Sequence, residues 1–174
     1  MTLPLAQPLS GNYKSDVFTH RYMFSGEITA GGPLARYLLD PARAGVRMIN
    51  VTATLLEPGA SSMSNFHQDE LIIIKEQVVF LRFDETMLSK TVSLTSAGER
   101  LLVYTERFVI QGQFQTNPKK DRLLDMTAGP TGRWAQAYNL FLHPLIPTAK
   151  AAPATAKMIL LNKEAIQFFH PAKG

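Results

Sequence analysis

The sequence predicts a mainly β protein with short helices, made of two tandem homologous small β-barrel-like or bent-sheet units that pack together. Three observations lead to this fold class. Apolar and polar residues alternate in several stretches, as they do in half-buried strands. Four sequence blocks of the first half recur in the same order in the second half. Glycines and prolines interrupt the apolar stretches at short intervals, which is typical of turns between short strands.

The recurrence is clearest between VFTHRYMFSGEI at residues 17–28 and VYTERFVIQGQF at residues 103–114, which align at an offset of 86. Valine, threonine, arginine and glycine are identical there, and four further positions stay apolar. The remaining matches are PLARYLLD with PKKDRLLD, Arg47, Leu56 and Pro58 with Arg133, Leu142 and Pro144, and LIIIKEQVVFL with ILLNKEAIQFF. Repeated blocks in a fixed order indicate an internal duplication.

The duplication predicts a first unit at residues 14–85, a connecting segment at 86–100 and a second unit at 101–172. Each unit would hold four or five strands and one short helix. A unit of this length has a thin hydrophobic core by itself. We therefore expect the two units to pack on each other or to oligomerise.

The first element of each unit is predicted to be a single strand. In residues 17–28, Phe18, Tyr22, Phe24 and Ile28 share one parity, so they would form one buried face. A glycine of each copy, Gly26 or Gly112, also falls on the apolar parity. Glycine inside a strand predicts a bulge, a bend or a close backbone approach.

A helix of about two turns is predicted next, because Pro33 or Pro118 can occupy its first turn and Leu34, Leu38 and Leu39 would form its apolar stripe. Residues 46–57 and 134–142 are predicted strands, although AQAYNLFL is also compatible with a helix. The two segments that contain a Lys–Glu pair, LIIIKEQVVFLRF and MILLNKEAIQFF, are predicted to be hairpins that turn at that pair.

The residues that carry chemistry in other proteins are scarce in this chain. The absence of cysteine excludes disulfides and thiolate catalysis. His67, Asp69 and Glu70 lie close in sequence, but hard-metal loops need more carboxylates at alternating positions, so a polar strand entry is the favoured interpretation. GPTGR at 129–133 lacks the spacing of a phosphate loop and is predicted to be a turn. No catalytic, cofactor-binding or metal residue is predicted, and no cofactor.

Charge is distributed unevenly along the chain. Residues 1–90 carry eight Lys/Arg and nine Asp/Glu, whereas residues 91–174 carry ten and five. A basic surface can contact phosphates or acidic partners, although a merely solvated face is the commoner meaning. The residues considered for anion or partner contact are Arg107, Lys119, Lys120, Arg122 and Arg133.

Location is predicted from the absence of targeting signals. No apolar run approaches the ~20 residues that a membrane-spanning helix requires, so no membrane span is expected. The stretch MTLPLAQPLSG lacks the features of a secretory signal. These observations favour a cytoplasmic location, and a trimmed secreted protein remains the alternative.

The order of a glycine-containing strand, a helix with Leu–Leu–Asp, an apolar strand ending before proline and a Lys–Glu turn resembles a group of uncharacterised small bacterial β-rich domains. At the level of fold it is also similar to Sm-like and SH3-like small barrels. The Sm signature for uridine-rich RNA, Asp-x-x-Asn followed by Arg-Gly-Asp/Gly, is absent. The resemblance implies no activity, cofactor or catalytic residue.

Three functions are compatible with these observations. The first is a non-enzymatic structural or interaction module that docks into a larger bacterial assembly or self-associates, with a protein partner or a second copy of the chain. The second is a nucleic-acid-binding module that uses the basic C-terminal unit through stacking and phosphate contacts. The third is a small-ligand binder or enzyme with a pocket between the units.

Overall fold

A computed structural model describes residues 11–32, 34–57, 65–83, 98–116, 126, 132–146 and 153–172. The strands are β1 (Gly11–Thr19), β2 (Tyr22–Ala30), β3 (Gly45–Leu55), β4 (Asn65–Ile74), β5 (Val78–Phe83), β6 (Glu99–Tyr104), β7 (Phe108–Phe114), β8 (Trp134–Pro144), β9 (Thr155–Asn162) and β10 (Phe168–Pro171). A short helix, α1 (Leu34–Leu39), lies between β2 and β3. The helix predicted at 33–40 is thus confirmed, and so are the strands predicted at 46–57 and 134–142.

The ten described strands form one antiparallel sheet in the order β10-β6-β7-β8-β9-β5-β1-β2-β3-β4. The mainly β prediction is confirmed, and the sheet is open rather than closed into a barrel. The first five strands have the order β5-β1-β2-β3-β4, and the last five have the order β10-β6-β7-β8-β9. We call these sets the first group and the second group. They join where β5 pairs with β9.

The stretch at 17–28 is a hairpin, so the prediction of one strand is wrong. β1 and β2 pair antiparallel around a turn at His20 and Arg21. The hydroxyl of Thr19 accepts a hydrogen bond from the Tyr22 amide at 3.0 Å, which stabilises this turn. The turn breaks the alternation, and Phe18 and Phe24 consequently pack in different cores. The stretch at 103–114 forms the matching hairpin of β6 and β7.

The Lys–Glu segments are also not hairpins. Among the described strands β4 pairs with β3 alone, while β5 pairs with β1 and β9. A single 3₁₀ turn, Lys75–Gln77, connects β4 to β5, and Lys163–Ala165 connects β9 to β10 in the same way. A link of this length spans at most about 14 Å. Each five-stranded group must therefore curl until its two outer strands approach each other at one end.

Lys75, in the first of these turns, connects the turn to helix α1. It is buried, and its Nζ donates to the main-chain carbonyls of Asp40 at 3.0 Å and Tyr37 at 3.4 Å. These carbonyls lie at the C-terminal end of α1, where helices favour a cation. Burial lowers the pKa of Lys75, and the nearby Asp40 carboxylate partly opposes that shift. The lysine thus attaches the helix to the sheet.

Each group contains a bulge beside the glycine that predicted it. The register shifts beside Gly26, opposite Asn50, and beside Gly112, opposite the region of Asn139. Asn50 and Asn139 have positive φ angles of 52° and 50°, which asparagine tolerates better than most residues. The strand register also corrects the sequence alignment of Arg47, Leu56 and Pro58 with Arg133, Leu142 and Pro144. Equivalent positions of β3 and β8 differ by 89 residues rather than 86, because the segment before β8 is three residues longer.

Two hydrophobic cores lie on opposite faces of the sheet. The first contains apolar residues of β1 to β5 and α1 together with Trp134 and Met158 from the second group. The second contains apolar residues of β6 to β9 and Met126, together with Phe18, Leu56, Val79 and Phe80 from the first half of the chain. Each core is therefore completed by side chains of the other group, and the junction between the groups is part of the hydrophobic interior.

Candidate functional site

A cleft lined by both polar and apolar side chains lies between the two groups. It has a volume of about 880 Å³ and is lined by β1, β2, β3 and β5 of the first group and by β8 and β9 of the second. Both bulge asparagines, Asn50 and Asn139, reach its wall. The two glycine bulges therefore lie at the cleft. This cleft corresponds in position to the pocket that the third functional hypothesis requires.

Asp16 is the centre of the cleft's hydrogen-bond network. Its Oδ1 accepts from the hydroxyl of Ser25 at 2.6 Å, and its Oδ2 accepts from the Nε of Arg82 at 2.8 Å. The Nη2 of Arg82 also contacts Oδ2, so the arginine binds the carboxylate through two nitrogens. A carboxylate already occupied by a cation and a hydroxyl is poorly suited to act as a general base.

The remaining charges of the cleft are mixed. Lys14 and Lys157 carry positive charge, and Glu27 carries negative charge. The described residues contain no group of three or more His, Cys, Asp or Glu that could hold a metal ion. With these side chains the cleft can contact a polar ligand bearing both charge signs. The third sequence-based hypothesis put a pocket between the units but did not identify its residues, because Asp16 and Arg82 are 66 residues apart and only the pairing of β1 with β5 brings them together.

The predicted contact residues do not form one patch in the described structure. Arg107 lies in the turn between β6 and β7, with a side chain 13% exposed, and its Nη2 is 2.9 Å from the Oε1 of Glu57. Arg133 immediately precedes Trp134, the first residue of β8. Its Nη2 is 3.4 Å from the Oε1 of Glu164. Both arginines thus have carboxylate partners. Lys119, Lys120 and Arg122 lie outside the described residues.

The two hairpin turns meet each other across the junction. His20 and Glu106 occupy equivalent turn positions, and the His20 Nδ1 is 3.0 Å from the Glu106 Oε2. Their neighbours Arg21 and Arg107 are also equivalent, and both contact Glu57, at 3.6 Å and 2.9 Å. His20 is therefore a turn residue at the interface between the groups. This cluster links the two groups through side-chain charges.

The two outer strands of the sheet expose apolar side chains. On β4, Ile72 is 61% exposed and Ile74 is 48% exposed; on β10, Phe168 is 55% exposed. Neither strand pairs with a second neighbour among the described residues. An outer strand presents unpaired backbone N–H and C=O groups, which makes it a template for another strand. These two edges are consequently candidates for association.

His67 and Asp69 stand on the same strand, β4, and Glu70 beside them is engaged by Arg47. The Nε and Nη2 of Arg47 donate to the two carboxylate oxygens at 2.8 Å and 3.0 Å. These hydrogen bonds and the charge of Arg47 lower the pKa of Glu70, and the same contacts raise that of Arg47. The ion pair between Glu70 of β4 and Arg47 of β3 therefore links the polar half of β4 to its neighbouring strand.

No family model, no curated protein and no solved structure matches this chain. None of the helices within the described ranges has the length and apolar character needed to cross a bilayer.

Proposed function

We propose that the protein is a non-enzymatic interaction module that docks into a larger assembly or self-associates through the edges of its sheet. The observation that carries this proposal is the pair of exposed edges, where Ile72, Ile74 and Phe168 add apolar surface to backbone groups that pair with no further strand in the described part of the chain. Strand addition to such an edge gains main-chain hydrogen bonds, and exposed apolar side chains supply further contact area. A protein partner therefore fits this surface better than a small solute does.

A duplication accounts for the form of the sheet. The two groups have the same strand order, a bulge at the same glycine and a 3₁₀ turn between their fourth and fifth strands. These features support an origin of residues 14–85 and 101–172 from one ancestral unit. They also support the fold-level likeness of each unit to Sm-like and SH3-like small barrels, since each group curls until its outer strands approach.

Size-exclusion chromatography with light scattering tests the interaction module. The natural protein should elute above the mass of one 19.3 kDa chain, alone or with a co-purifying protein. A Phe168→Asp variant should reduce that association, because a charge in the exposed edge opposes apolar contact. Phe141→Asp is the matched control, since Phe141 is 49% exposed but lies on an internal strand. A monomer that retains no partner would overturn the proposal.

A small-ligand binder is the second candidate, and the cleft of about 880 Å³ between the groups favours it. Asp16, Arg82 and Lys157 would contact a polar ligand there. Screening by thermal shift, repeated on Arg82→Ala, tests this function. A compound that raises the melting temperature of the natural protein and not that of the variant would support this function. A screen in which no polar compound raises the melting temperature of the natural protein would count against it. Nucleic-acid binding gains no support from Arg107 and Arg133, because both are engaged by carboxylates.

A further inference from the structure

We propose that copies of this chain assemble head to tail, with β10 of one copy pairing antiparallel with β4 of the next. The proposal rests on the proposed function and names its partner, a second copy of the chain. It follows from an interface that the protein already contains, the pairing of β5 with β9 that joins the two groups. Within the described ranges the two strands without a second neighbour, β10 and β4, are the strands equivalent to β5 and β9.

The existing junction has a defined register. Phe80 lies opposite Leu161, Leu81 opposite Leu160, and Arg82 opposite Ile159. Phe80 and Leu161 belong to the second core and are fully buried. The junction therefore combines main-chain pairing over three residues with burial of large apolar side chains, and the two together make it a stable contact.

The neighbours of β5 and β10 show that these strands are equivalent. Phe80 of β5 lies opposite Phe18 of β1, and Phe168 of β10 lies opposite Tyr104 of β6. The positions of the β1 and β6 residues differ by 86, as in the sequence repeat. The next two pairs along the strands correspond in the same way. The outward edge of β10 thus repeats the edge that β5 offers to β9.

The strands β9 and β4 are equivalent by the same criterion. Leu161 of β9 lies opposite Ala135 of β8, and Ile73 of β4 lies opposite Val46 of β3. Transferring the junction register to the free edges places Phe168 of one copy opposite Ile73 of the next. It also places Phe169 opposite Ile72 and His170 opposite Leu71. The exposed Ile72 would then become covered by the neighbouring copy.

The aromatic rings repeat with the strands. Phe18 and Phe80 stack with centroids 4.3 Å apart, and Tyr104 and Phe168 stack with centroids 4.2 Å apart. In the junction a third ring, Phe108 of the second group, packs edge-on against Phe80 at 5.3 Å. On the exposed stack the imidazole of His170 lies 5.7 Å from the Tyr104 ring, but among the described residues no third ring packs against Phe168. The residue equivalent to Phe108 is Tyr22, which is half-buried near β4 of the same group. Tyr22 of the next copy would complete the cluster.

Two differences make the external contact weaker than the internal one. Trp134 contributes to the first core from β8, and its equivalent on β3 is Gly45, which has no side chain. Pro171 follows the three residues of β10 that would pair, and it has no N–H to donate to a neighbouring strand. We therefore expect assembly that depends on protein concentration. Because the contact joins two different surfaces, it generates a ring if the rotation closes and a filament if it does not.

A mixing experiment tests the head-to-tail geometry. Phe168→Asp disables the β10 edge and Ile72→Asp disables the β4 edge; both side chains are exposed, so folding should survive. In sedimentation velocity each variant alone should be monomeric, whereas an equimolar mixture should form a species of twice the monomer mass. One intact edge remains on each partner, and these two edges are complementary. Phe141→Asp is the control and should assemble like the natural chain.

The outcomes separate this proposal from the proposed function. A natural chain that stays monomeric at every accessible concentration, or single variants that assemble normally, would overturn head-to-tail assembly. Binding of a different protein at these edges would also overturn it, while the interaction module itself would stand. An equimolar mixture of the two single variants that remains monomeric, although the natural chain assembles, would also overturn the proposal, because it would show an interface of another geometry.

Cross-linking tests the register, because the chain has no cysteine of its own. Leu71→Cys and His170→Cys, prepared separately and mixed under mild oxidation, should form a covalent heterodimer. Directly opposed residues of antiparallel strands are about 4.5–5.5 Å apart at Cα, within the range of a disulfide. Asp69→Cys, two residues further along β4, is the off-register control. Equal cross-linking of Asp69→Cys and Leu71→Cys would contradict the proposed register.

Discussion

The sheet contains the same aromatic pair twice, in two different surroundings. Phe18 and Phe80 stack at the junction of the two groups, where both rings are completely buried against the second core. Tyr104 and Phe168 stack with nearly the same geometry at the outer edge, where Phe168 is 55% exposed. The local structure is thus the same in both places. The pair at the junction is buried because the other group covers it, and the pair at the outer edge is exposed because no described strand covers it.

The same comparison extends to other equivalent positions. Leu56 is buried in the second core, whereas its equivalent Leu145 is 53% exposed. A tyrosine takes the position of Phe18 at the exposed end, which keeps the ring and adds a polar group. The second group therefore covers the outer face of the first group. The corresponding face of the second group is exposed to solvent.

Truncating the two stacked phenylalanines should give the largest difference. We expect Phe80→Ala to lower the free energy of unfolding by about 3–5 kcal/mol, since it leaves a cavity in a packed core. Phe168→Ala should lower it by less than about 1.5 kcal/mol, because only an exposed stack is lost. Urea denaturation at low protein concentration measures both, with circular dichroism as the control for folding. Equal losses would contradict the difference in surroundings.

The bulge glycines should also differ. A Cβ on Gly26 would lie 2.8 Å from the main-chain oxygen of Ile49, and backbone cannot easily move away. A Cβ on Gly112 would lie 2.9 Å from side-chain atoms of Leu140, which can adopt another rotamer, and 3.0 Å from the Tyr138 carbonyl.

We therefore expect Gly26→Ala to destabilise the protein by about 1–3 kcal/mol, and Gly112→Ala to destabilise it less. Thermal unfolding of the two variants side by side measures this order. A larger loss for Gly112→Ala would mean that the second bulge is the more rigid of the two.

Most of the secondary structure could be predicted from the sequence, and the pairing could not. Alternation and repeated blocks indicated the strands and the glycine bulges, because these depend on local pattern. The hairpin at Thr19 to Tyr22 was missed because a tight turn without glycine or proline leaves the apolar–polar alternation of the sequence intact, although it changes the face on which the side chains lie. The positions of β4 and β5 were missed because a Lys–Glu turn looks the same whether or not its flanking strands pair. The Asp16–Arg82 network depends entirely on that pairing.

The equivalent arginines Arg107 and Arg21 should give a smaller contrast. Arg107→Met should lower stability by about 1–3 kcal/mol, because it breaks a largely buried pair with Glu57. Arg21→Met should change it by less than about 0.5 kcal/mol, since that side chain is 65% exposed and its contact is 3.6 Å. Chemical denaturation at two salt concentrations measures the effects. A similar loss of stability for both variants would contradict this prediction, because it would mean that Glu57 interacts equally strongly with Arg21 and Arg107.

Tyr138 should give the smallest effect, confined to alkaline pH. Burial raises its pKa to about 12, and Ile49 takes the equivalent position in the first group. An unfolded tyrosine ionises near pH 10. The unfolded chain therefore loses this proton first, and stability contributed by the neutral phenol declines between pH 10 and about 12. Phenolate absorbance of the natural protein and Tyr138→Phe should differ by a step near pH 12. No difference there would indicate a solvated phenol.

Hydrogen exchange as a function of protein concentration tests the equivalence of the free edges with the internal junction most directly. We expect amide protection at residues 71–73 and 168–170 to rise together as concentration increases, because both edges enter the same pairing. Protection at residues 159–161 should be high throughout, since β5 already covers that strand. Edge amides that exchange freely at every concentration, or protection that rises at only one edge, would contradict the account.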